Sequence, residues 1–138
     1  MTFDATSRRA RALFWLLVVI WAGLIFALSA TPDLRVAPTP DLDFVLRKAG
    51  HMGAFGVLAV LLWRALASSA VRRALVWSWF LTVLYAASDE FHQLFTAGRH
   101  GSPLDVGIDS VGALIALLLL VVWLRLRARG SVRSRRNA

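Results

Sequence analysis

The chain has 138 residues, of which 58% are hydrophobic, and it carries a formal net charge of +8 with no cysteine. We expect one compact helical membrane unit without a separate soluble domain. The lack of cysteine excludes disulfides, thiolate nucleophiles and cysteine metal ligands. The charge predicts no nucleic-acid partner, because the arginines flank apolar runs or fall in a C-terminal tail, where they suit anionic lipid headgroups.

Four apolar runs are long enough to form membrane helices. They cover residues 12–28, 49–63, 74–88 and 108–124. Apart from His51 and Asp109, they contain no charged residue and no histidine. About 20 helical residues span a hydrocarbon core of about 30 Å, and snorkelling or tilt accommodates somewhat shorter or longer runs. Open sheet edges are not tolerated in lipid, so the sequence predicts an all-α polytopic membrane protein, a bundle of four transmembrane helices.

The first run also has features of a signal peptide, because a basic segment precedes it and Ser29 and Ala30 follow it. However, the run is longer than a usual signal-peptide core, and small residues do not occupy both recognition positions. Removing it would leave three spans. We therefore expect an uncleaved first helix.

Arginine and lysine orient the predicted bundle, because cytoplasmic loops and tails carry an excess of them. With the N-terminus inside, twelve of the sixteen basic residues are cytoplasmic. The other four are Arg35, Arg47, Lys48 and Arg99. The sequence thus predicts an N-in, C-in topology, with a cytoplasmic segment at 1–11, a membrane domain at 12–127 and a basic cytoplasmic tail at 128–138. The serine and arginine content of the tail predicts disorder.

The two connections on either side of the second helix differ. Residues 31–43 contain three of the four prolines, which predicts an extended or turn-rich outer loop. Residues 67–73 form a short link, so the second and third helices are expected to be an antiparallel hairpin.

Polar residues concentrate in two stretches, 33–51 and 89–109, which contain all three histidines and seven of the eight acidic residues. Under the predicted topology, both stretches lie on the extracytoplasmic face. On the second helix, Lys48, His51 and Phe55 are three and four residues apart and share one face. His51 is either hydrogen-bonded to a neighbouring helix or part of a site, and Lys48 is either a snorkelling anchor or a ligand-binding group. Nearby glycines predict close approach of another helix; they are Gly50, Gly53 and Gly56.

On the third helix, Tyr85, then Ser88 or Asp89, and then His92 lie along one stripe. Gln93 is one turn beyond Asp89, whereas Glu90 points roughly 100° around the helix axis. Two adjacent carboxylates at the end of a span are costly to bury, so one of them is expected to have a cationic partner. The candidate partners are Arg47, Lys48 and Arg99.

The start of the fourth helix is predicted from Ser102 as N-cap, Pro103 at the first helical position and Asp105 at the third. We interpret Asp105 as a capping residue rather than a catalytic one. Asp109 lies one turn deeper on the same face and precedes the small residues typical of a tight helix contact, namely Gly112, Ala113 and Ala116. An acid at that depth needs a partner, and the candidates are Arg99, Lys48 and His51.

Three motifs resemble those of the VanZ-like family of membrane proteins. They are SDEFHQLF at 88–95, GRHGS at 98–102 and DVGIDSVGA at 105–113. Residues 29–32 and 47–51 match earlier blocks of the family, so the resemblance covers roughly residues 12–124. The sequence departs from the family at Phe55, where tyrosine is frequent, and at Ala116, where glycine is common. No tyrosine hydroxyl is therefore available at position 55.

The resemblance implies a cell-envelope protein of the bacterial plasma (inner) membrane. The family takes its name from a low-level resistance factor against a lipid-tailed glycopeptide antibiotic. The family's motif positions are expected to bind ligand, and in this sequence they are Lys48, His51, Asp89, Glu90, Gln93, Arg99, Asp105 and Asp109.

Two classes of function fit these residues. The first is recognition of an anionic or lipid-linked headgroup, such as a lipid-linked cell-wall intermediate or a lipid-tailed glycopeptide, with a contribution to low-level resistance. Arginine would bind the headgroup through paired, directional hydrogen bonds, and lysine would supply a point charge. The second is a small intramembrane hydrolase or transferase acting on a lipid-linked substrate. Its candidate catalytic residues are His51, Asp89, Glu90 and His92.

A purely structural bundle surrounded by membrane lipids is a third alternative. No metal site is predicted, because no tight ligand spacing occurs and Glu90 and His92 diverge on a helix. The sequence leaves the cofactor and the oligomeric state open.

Overall fold

A computed structural model describes residues 2–32, 35–99 and 101–136, and it describes the side chains of residues 8–32, 35–99 and 101–130. Within these ranges the chain forms four helices and no strand, which confirms the predicted all-α class. The helices are α1 (Thr2–Ser29), α2 (Pro40–Ser68), α3 (Ala74–Gln93) and α4 (Pro103–Arg136).

Three of these helices are long and apolar enough to cross a membrane, over Arg8–Ser29, Pro40–Ser68 and Pro103–Gly130. This length and composition support a multi-pass membrane protein. The remaining helix, α3, has 20 residues and packs against both α2 and α4.

Apolar side chains cover the outside of the bundle, whereas polar side chains lie inside it. Val19 of α1 and Leu119 of α4 are exposed, while Thr82, Asp89 and Asp109 are buried. A hydrocarbon solvent favours this arrangement, because apolar side chains need not leave it and polar groups must find partners within the protein.

The second helix lies at the centre of the bundle and packs against each of the other three. On one side, Phe55 and Leu62 are buried together with Ile25 of α1 and Ala86 of α3. On the other side, Ala59 belongs to a separate apolar cluster with α4. Because α2 holds both clusters, its position fixes where the side chains at its N-terminal end meet the other helices.

Small residues bring α2 and α4 close together. A Cβ atom at Gly112 would collide with the backbone carbonyl of Met52, and one at Gly56 would lie 3.3 Å from the Gly112 carbonyl oxygen. The predicted tight contact at Gly112 is therefore confirmed. The expectation for Gly50 and Gly53 is wrong, because a Cβ atom at either would meet nothing within 4 Å. A step of three residues falls about 60° short of a full turn, so the three glycines do not face one neighbour.

The second helix begins at Pro40, inside the segment for which the sequence predicts a loop. Proline suits the first helical position, because its missing amide needs no partner there. The Asp43 carboxylate in the first turn accepts hydrogen bonds from the backbone amides of Val36 and Ala37, at 2.6 and 3.2 Å. It also pairs with Arg47 at 2.8 Å. The loop prediction is therefore wrong over residues 40–43.

The short link between α2 and α3 occupies residues 69–73, and the two helices pack side by side as the predicted hairpin. At the other end of the chain, α4 continues through Arg136, into the tail for which the sequence predicts disorder. Extending an existing helix needs no new nucleation, which favours helix there.

Candidate functional site

The polar side chains meet at one end of the bundle, where α1 and α3 end and α2 and α4 begin. A cavity of about 410 Å³ opens there. Seven of the eight predicted ligand-binding residues line it, namely Lys48, His51, Glu90, Gln93, Arg99, Asp105 and Asp109. The eighth, Asp89, lies close behind the wall and is 2% exposed. Residues far apart in the sequence thus form one group.

Asp89 is held by neutral donors from two helices. The Ser29 hydroxyl, at the end of α1, donates a hydrogen bond of 2.8 Å to Asp89 Oδ2. The Gln93 amide donates to the same oxygen at 3.1 Å. The other oxygen, Oδ1, is buried and has no hydrogen-bond partner among the described residues. The sequence gives Ser29 no role in the site, although it lies in a block that resembles the family.

Glu90 connects α3 to the start of α4. Its Oε2 accepts a hydrogen bond of 2.8 Å from the backbone amide of Ser102, and its Oε1 lies 3.5 Å from the Gln93 amide nitrogen. The Ser102 hydroxyl accepts from the Leu104 amide at 3.2 Å, which confirms Ser102 as the N-cap. In a capping box, an acid in the first turn of the same helix binds the N-cap amide. Here an acid from α3 takes that role.

Asp105 therefore does not complete the capping box, and its interpretation as a capping residue is wrong. Its carboxylate forms an ion pair with Lys48 of α2. The pair is available because Glu90 already occupies the amide that Asp105 was expected to bind.

His51 is the partner of Asp109, one of the three candidates that the sequence offers. Nδ1 of His51 lies 3.6 Å from Oδ2 of Asp109, whose side chain is fully buried. The His51 ring stacks on Phe55 with 6.0 Å between centroids, and the Phe55 and Tyr85 centroids are also 6.0 Å apart. The phenyl ring at position 55 therefore fixes one side of the imidazole.

Arg99 fastens the loop between α3 and α4 to the end of α1. Its Nη2 donates to the carbonyl oxygens of Leu28 and Thr31, at 3.0 and 3.3 Å. Its Nε is buried and has no hydrogen-bond partner among the described residues. The guanidinium thus contacts backbone carbonyls, with no acidic partner in the part of the chain that the structure describes.

The predicted ion pair between Asp89 or Glu90 and an arginine or lysine is absent from the described residues. The ion pairs there join Arg47 to Asp43, Lys48 to Asp105 and His51 to Asp109. The prediction is wrong because hydroxyl, amide and backbone donors contact three of the four carboxylate oxygens instead, all but Asp89 Oδ1.

His92 lies apart from the cavity. Its ring packs against Phe26 of α1, with 4.5 Å between the centroids. Among the predicted catalytic residues, His51 and Glu90 line the cavity and Asp89 lies directly behind it, so we remove His92 from this group.

His51, Asp89 and Glu90 come together across α2 and α3. Each can offer one ligand atom to a metal ion, and these atoms lie within 4.8 Å of one another. The sequence argument against a metal considers spacing along single helices, and that spacing contains no signal for a group assembled from two of them.

A second cavity of about 200 Å³ lies between α1 and α2. Apolar side chains form part of its lining, including Ile25, Leu28 and Leu46. It shares His51 and Arg99 with the main cavity, so the polar site continues directly into an apolar groove.

The VanZ/LLP1 family profile matches residues 14–124. The chain belongs to the VanZ/LLP1 family. The match includes every residue that lines the main cavity, and it confirms the family resemblance. No curated protein and no solved structure shows significant similarity to this VanZ/LLP1 chain.

Proposed function

We propose that this VanZ/LLP1 protein recognises an anionic, lipid-linked headgroup in its polar cavity, on the extracytoplasmic face of the bacterial plasma membrane. The observation that carries the proposal is the environment of Arg99. Within the described residues, Arg47 and Lys48 each pair with a carboxylate, whereas Arg99 contacts only carbonyl oxygens and keeps a buried Nε without a partner. A guanidinium in this state suits a phosphate or carboxylate, which arginine binds through paired hydrogen bonds.

The apolar groove between α1 and α2 supports a ligand with a lipid tail. Arg99 and His51 border both the groove and the main cavity, so a headgroup beside Arg99 can extend its chain along Leu28 and Leu46 toward the lipid. Both leucines are exposed on the outside of the bundle. A free anion would need no such groove.

The proposal includes α3 as a fourth span. Its 20 residues reach about 30 Å, which matches the thickness of a hydrocarbon core. Its first residue follows the short link from α2, and Glu90 near its end binds the residue before α4. Together with the excess of basic residues on one side, this favours the N-in, C-in topology and an extracytoplasmic cavity.

Binding in this cavity accounts for a contribution to low-level glycopeptide or lipopeptide resistance. A protein that holds a lipid-linked cell-wall intermediate, or the lipid-tailed drug itself, lowers the amount of drug bound to its target. The expected partners are therefore membrane lipids, a lipid-linked intermediate and a lipid-tailed glycopeptide.

Binding of a polyprenyl pyrophosphate to the purified protein in nanodiscs tests the proposal. Arg99→Gln should weaken binding at least about tenfold, since a hydrogen bond to a charged group contributes about 1.5–3 kcal/mol. Arg99→Lys should give an intermediate affinity, because it keeps the positive charge and loses the paired hydrogen bonds of the guanidinium. Arg72→Gln, at an exposed position at the other end of the bundle, is the matched control.

Two results would contradict the proposal. One is equal binding by wild type and Arg99→Gln at matched melting temperature. The other is equal binding of the pyrophosphate lipid and of zwitterionic phosphatidylcholine, which would favour a purely structural bundle.

A hydrolase or transferase acting on the same class of lipid is the second candidate. The observation that favours it is His51, which lines the cavity with Nδ1 3.6 Å from the buried carboxylate of Asp109. A histidine beside a carboxylate can act as a general base once the two move into hydrogen-bond distance. Release of phosphate from the pyrophosphate lipid should then disappear in His51→Gln while binding persists. Wild-type protein that binds the lipid and releases no phosphate would leave recognition as the function.

A further inference from the structure

Three buried carboxylates lie near one imidazole, that of His51, in or beside the cavity wall. Asp89, Glu90 and Asp109 are 2%, 5% and 1% exposed, and none of them pairs with lysine or arginine among the described residues. Buried charges are costly unless an opposite charge or a metal ion compensates them. The single imidazole of His51 can supply at most one positive charge. With its carboxylates ionised, the group therefore has an excess of negative charge, which a divalent cation would compensate.

The free oxygen of Asp89 points independently to a ligand. Asp89 is almost completely buried, and its Oδ1 has no hydrogen-bond partner in the described part of the chain. Its other oxygen already accepts two hydrogen bonds, from Ser29 and Gln93. A buried carboxylate oxygen without a donor is destabilising by itself, whereas a cation would satisfy it directly.

We propose that His51, Asp89 and Glu90 bind one divalent transition-metal ion of the zinc type. Their ligand atoms lie within 4.8 Å of one another. Zinc ligands sit about 2.0–2.2 Å from the ion and, at tetrahedral angles, roughly 3.3–3.6 Å from each other, so side-chain movements of roughly 1 Å would close the site. Calcium and magnesium prefer sets made of oxygen alone, whereas imidazole with carboxylates suits zinc or manganese.

The residues around these three ligands match the surroundings of a metal site. Metal-binding histidines usually donate their second ring N–H to a carboxylate. Nδ1 of His51 lies 3.6 Å from Asp109 Oδ2, slightly beyond hydrogen-bond distance, so a small movement would form this bond and leave Nε2 for the ion. Gln93 hydrogen-bonds to Asp89 and lies within hydrogen-bond distance of Glu90, so it holds the two carboxylates side by side. Asp109 and Gln93 are therefore positioning residues.

The ion would have one coordination position open to the cavity, because His51 and Glu90 form part of the cavity wall. Three protein ligands with an open position are typical of zinc sites that bind water or substrate. The inference does not depend on headgroup recognition, because Arg99 is not one of the ligands.

The test uses the full chain in detergent after metal removal with a chelator. Zinc is added at limited free concentration, the bound metal is counted by mass spectrometry, and melting is followed by tryptophan fluorescence, for which the chain offers six tryptophans. We expect one zinc per chain and a rise in melting temperature. Asp109→Asn, which changes a residue beside a ligand, should weaken zinc binding about 10–100-fold. His51→Gln and Asp89→Asn, which remove ligands, should each weaken it at least as much.

The controls are His92→Gln, which changes a histidine outside the cavity, and Asp41→Asn, which changes an exposed carboxylate outside it. Both should bind zinc like wild type. Wild type that retains no zinc and gains no stability would overturn the proposal, as would equal losses in His92→Gln and His51→Gln. If Asp89→Asn fails to fold, His51→Gln and Asp109→Asn decide. Wild type that binds no zinc but still shows Arg99-dependent lipid binding would contradict the metal site and leave the headgroup proposal intact.

Discussion

The carboxylate of Glu90 accepts a hydrogen bond of 2.8 Å from the backbone amide of Ser102. Glu90 lies in the last turn of α3, and Ser102 is the residue before α4. Because Ser102 also caps α4 through its hydroxyl, the end of one helix and the start of the next depend on the same pair of residues. A side chain among the site residues thus has a structural task.

Glu90→Ala should lower the free energy of unfolding by about 1–3 kcal/mol, because it leaves the Ser102 amide without an acceptor. Glu90→Gln should cost less, since its carbonyl oxygen can still accept that hydrogen bond. Chemical denaturation in detergent, with chelator present, measures both. Asp41→Ala at an exposed position is the control and should change little. Equal stability of Glu90→Ala and Asp41→Ala would rule out this structural role.

Ser29→Ala should destabilise the protein by about 1–3 kcal/mol, because buried Asp89 loses a donor at 2.8 Å. The matched control is Ser88→Ala, whose exposed hydroxyl donates to the carbonyl of Tyr85 in its own helix. The two melting temperatures should differ clearly. If they coincide, α1 does not contribute to holding Asp89.

Gly112→Ala should destabilise the bundle by about 1–3 kcal/mol, because the new methyl group would overlap the backbone of Met52 and push α2 from α4. Gly107→Ala on the same helix meets nothing within 4 Å. It should be neutral or stabilise by up to about 1 kcal/mol, because alanine favours helix more than glycine does. Thermal unfolding of both variants measures the difference. A stabilising effect of Gly112→Ala would contradict the close contact.

Membrane orientation is tested with single cysteines, since the natural chain has none. Thr39→Cys, before α2, should react with an impermeant maleimide added outside intact cells. Ala70→Cys, after α2, should react only once the cells are permeabilised. The expectation follows from the excess of arginine on the side of Ala70. The opposite labelling pattern would reverse the topology.

The sequence by itself determined the helical class, the family and the position of most site residues. In lipid, the backbone N–H and C=O groups of uncharged runs of this length find hydrogen-bond partners by forming helices, so the length and composition of the runs suffice to predict the fold class. The N-cap role of Ser102 was also predictable, because an N-cap side chain binds amides two or three residues further along the chain. Such a local hydrogen bond does not depend on how the helices pack.

Only the tertiary structure decided which side chains are partners. The sequence gives three candidate partners for Asp109, and in the structure helix packing places His51 beside it. It assigns Asp105 to the cap of α4. In the structure Glu90 of α3 binds the Ser102 amide, and Asp105 pairs with Lys48. Hydrogen bonds and ion pairs act over about 3–4 Å, whereas these partners are separated by up to tens of residues, so their choice depends on how the helices pack.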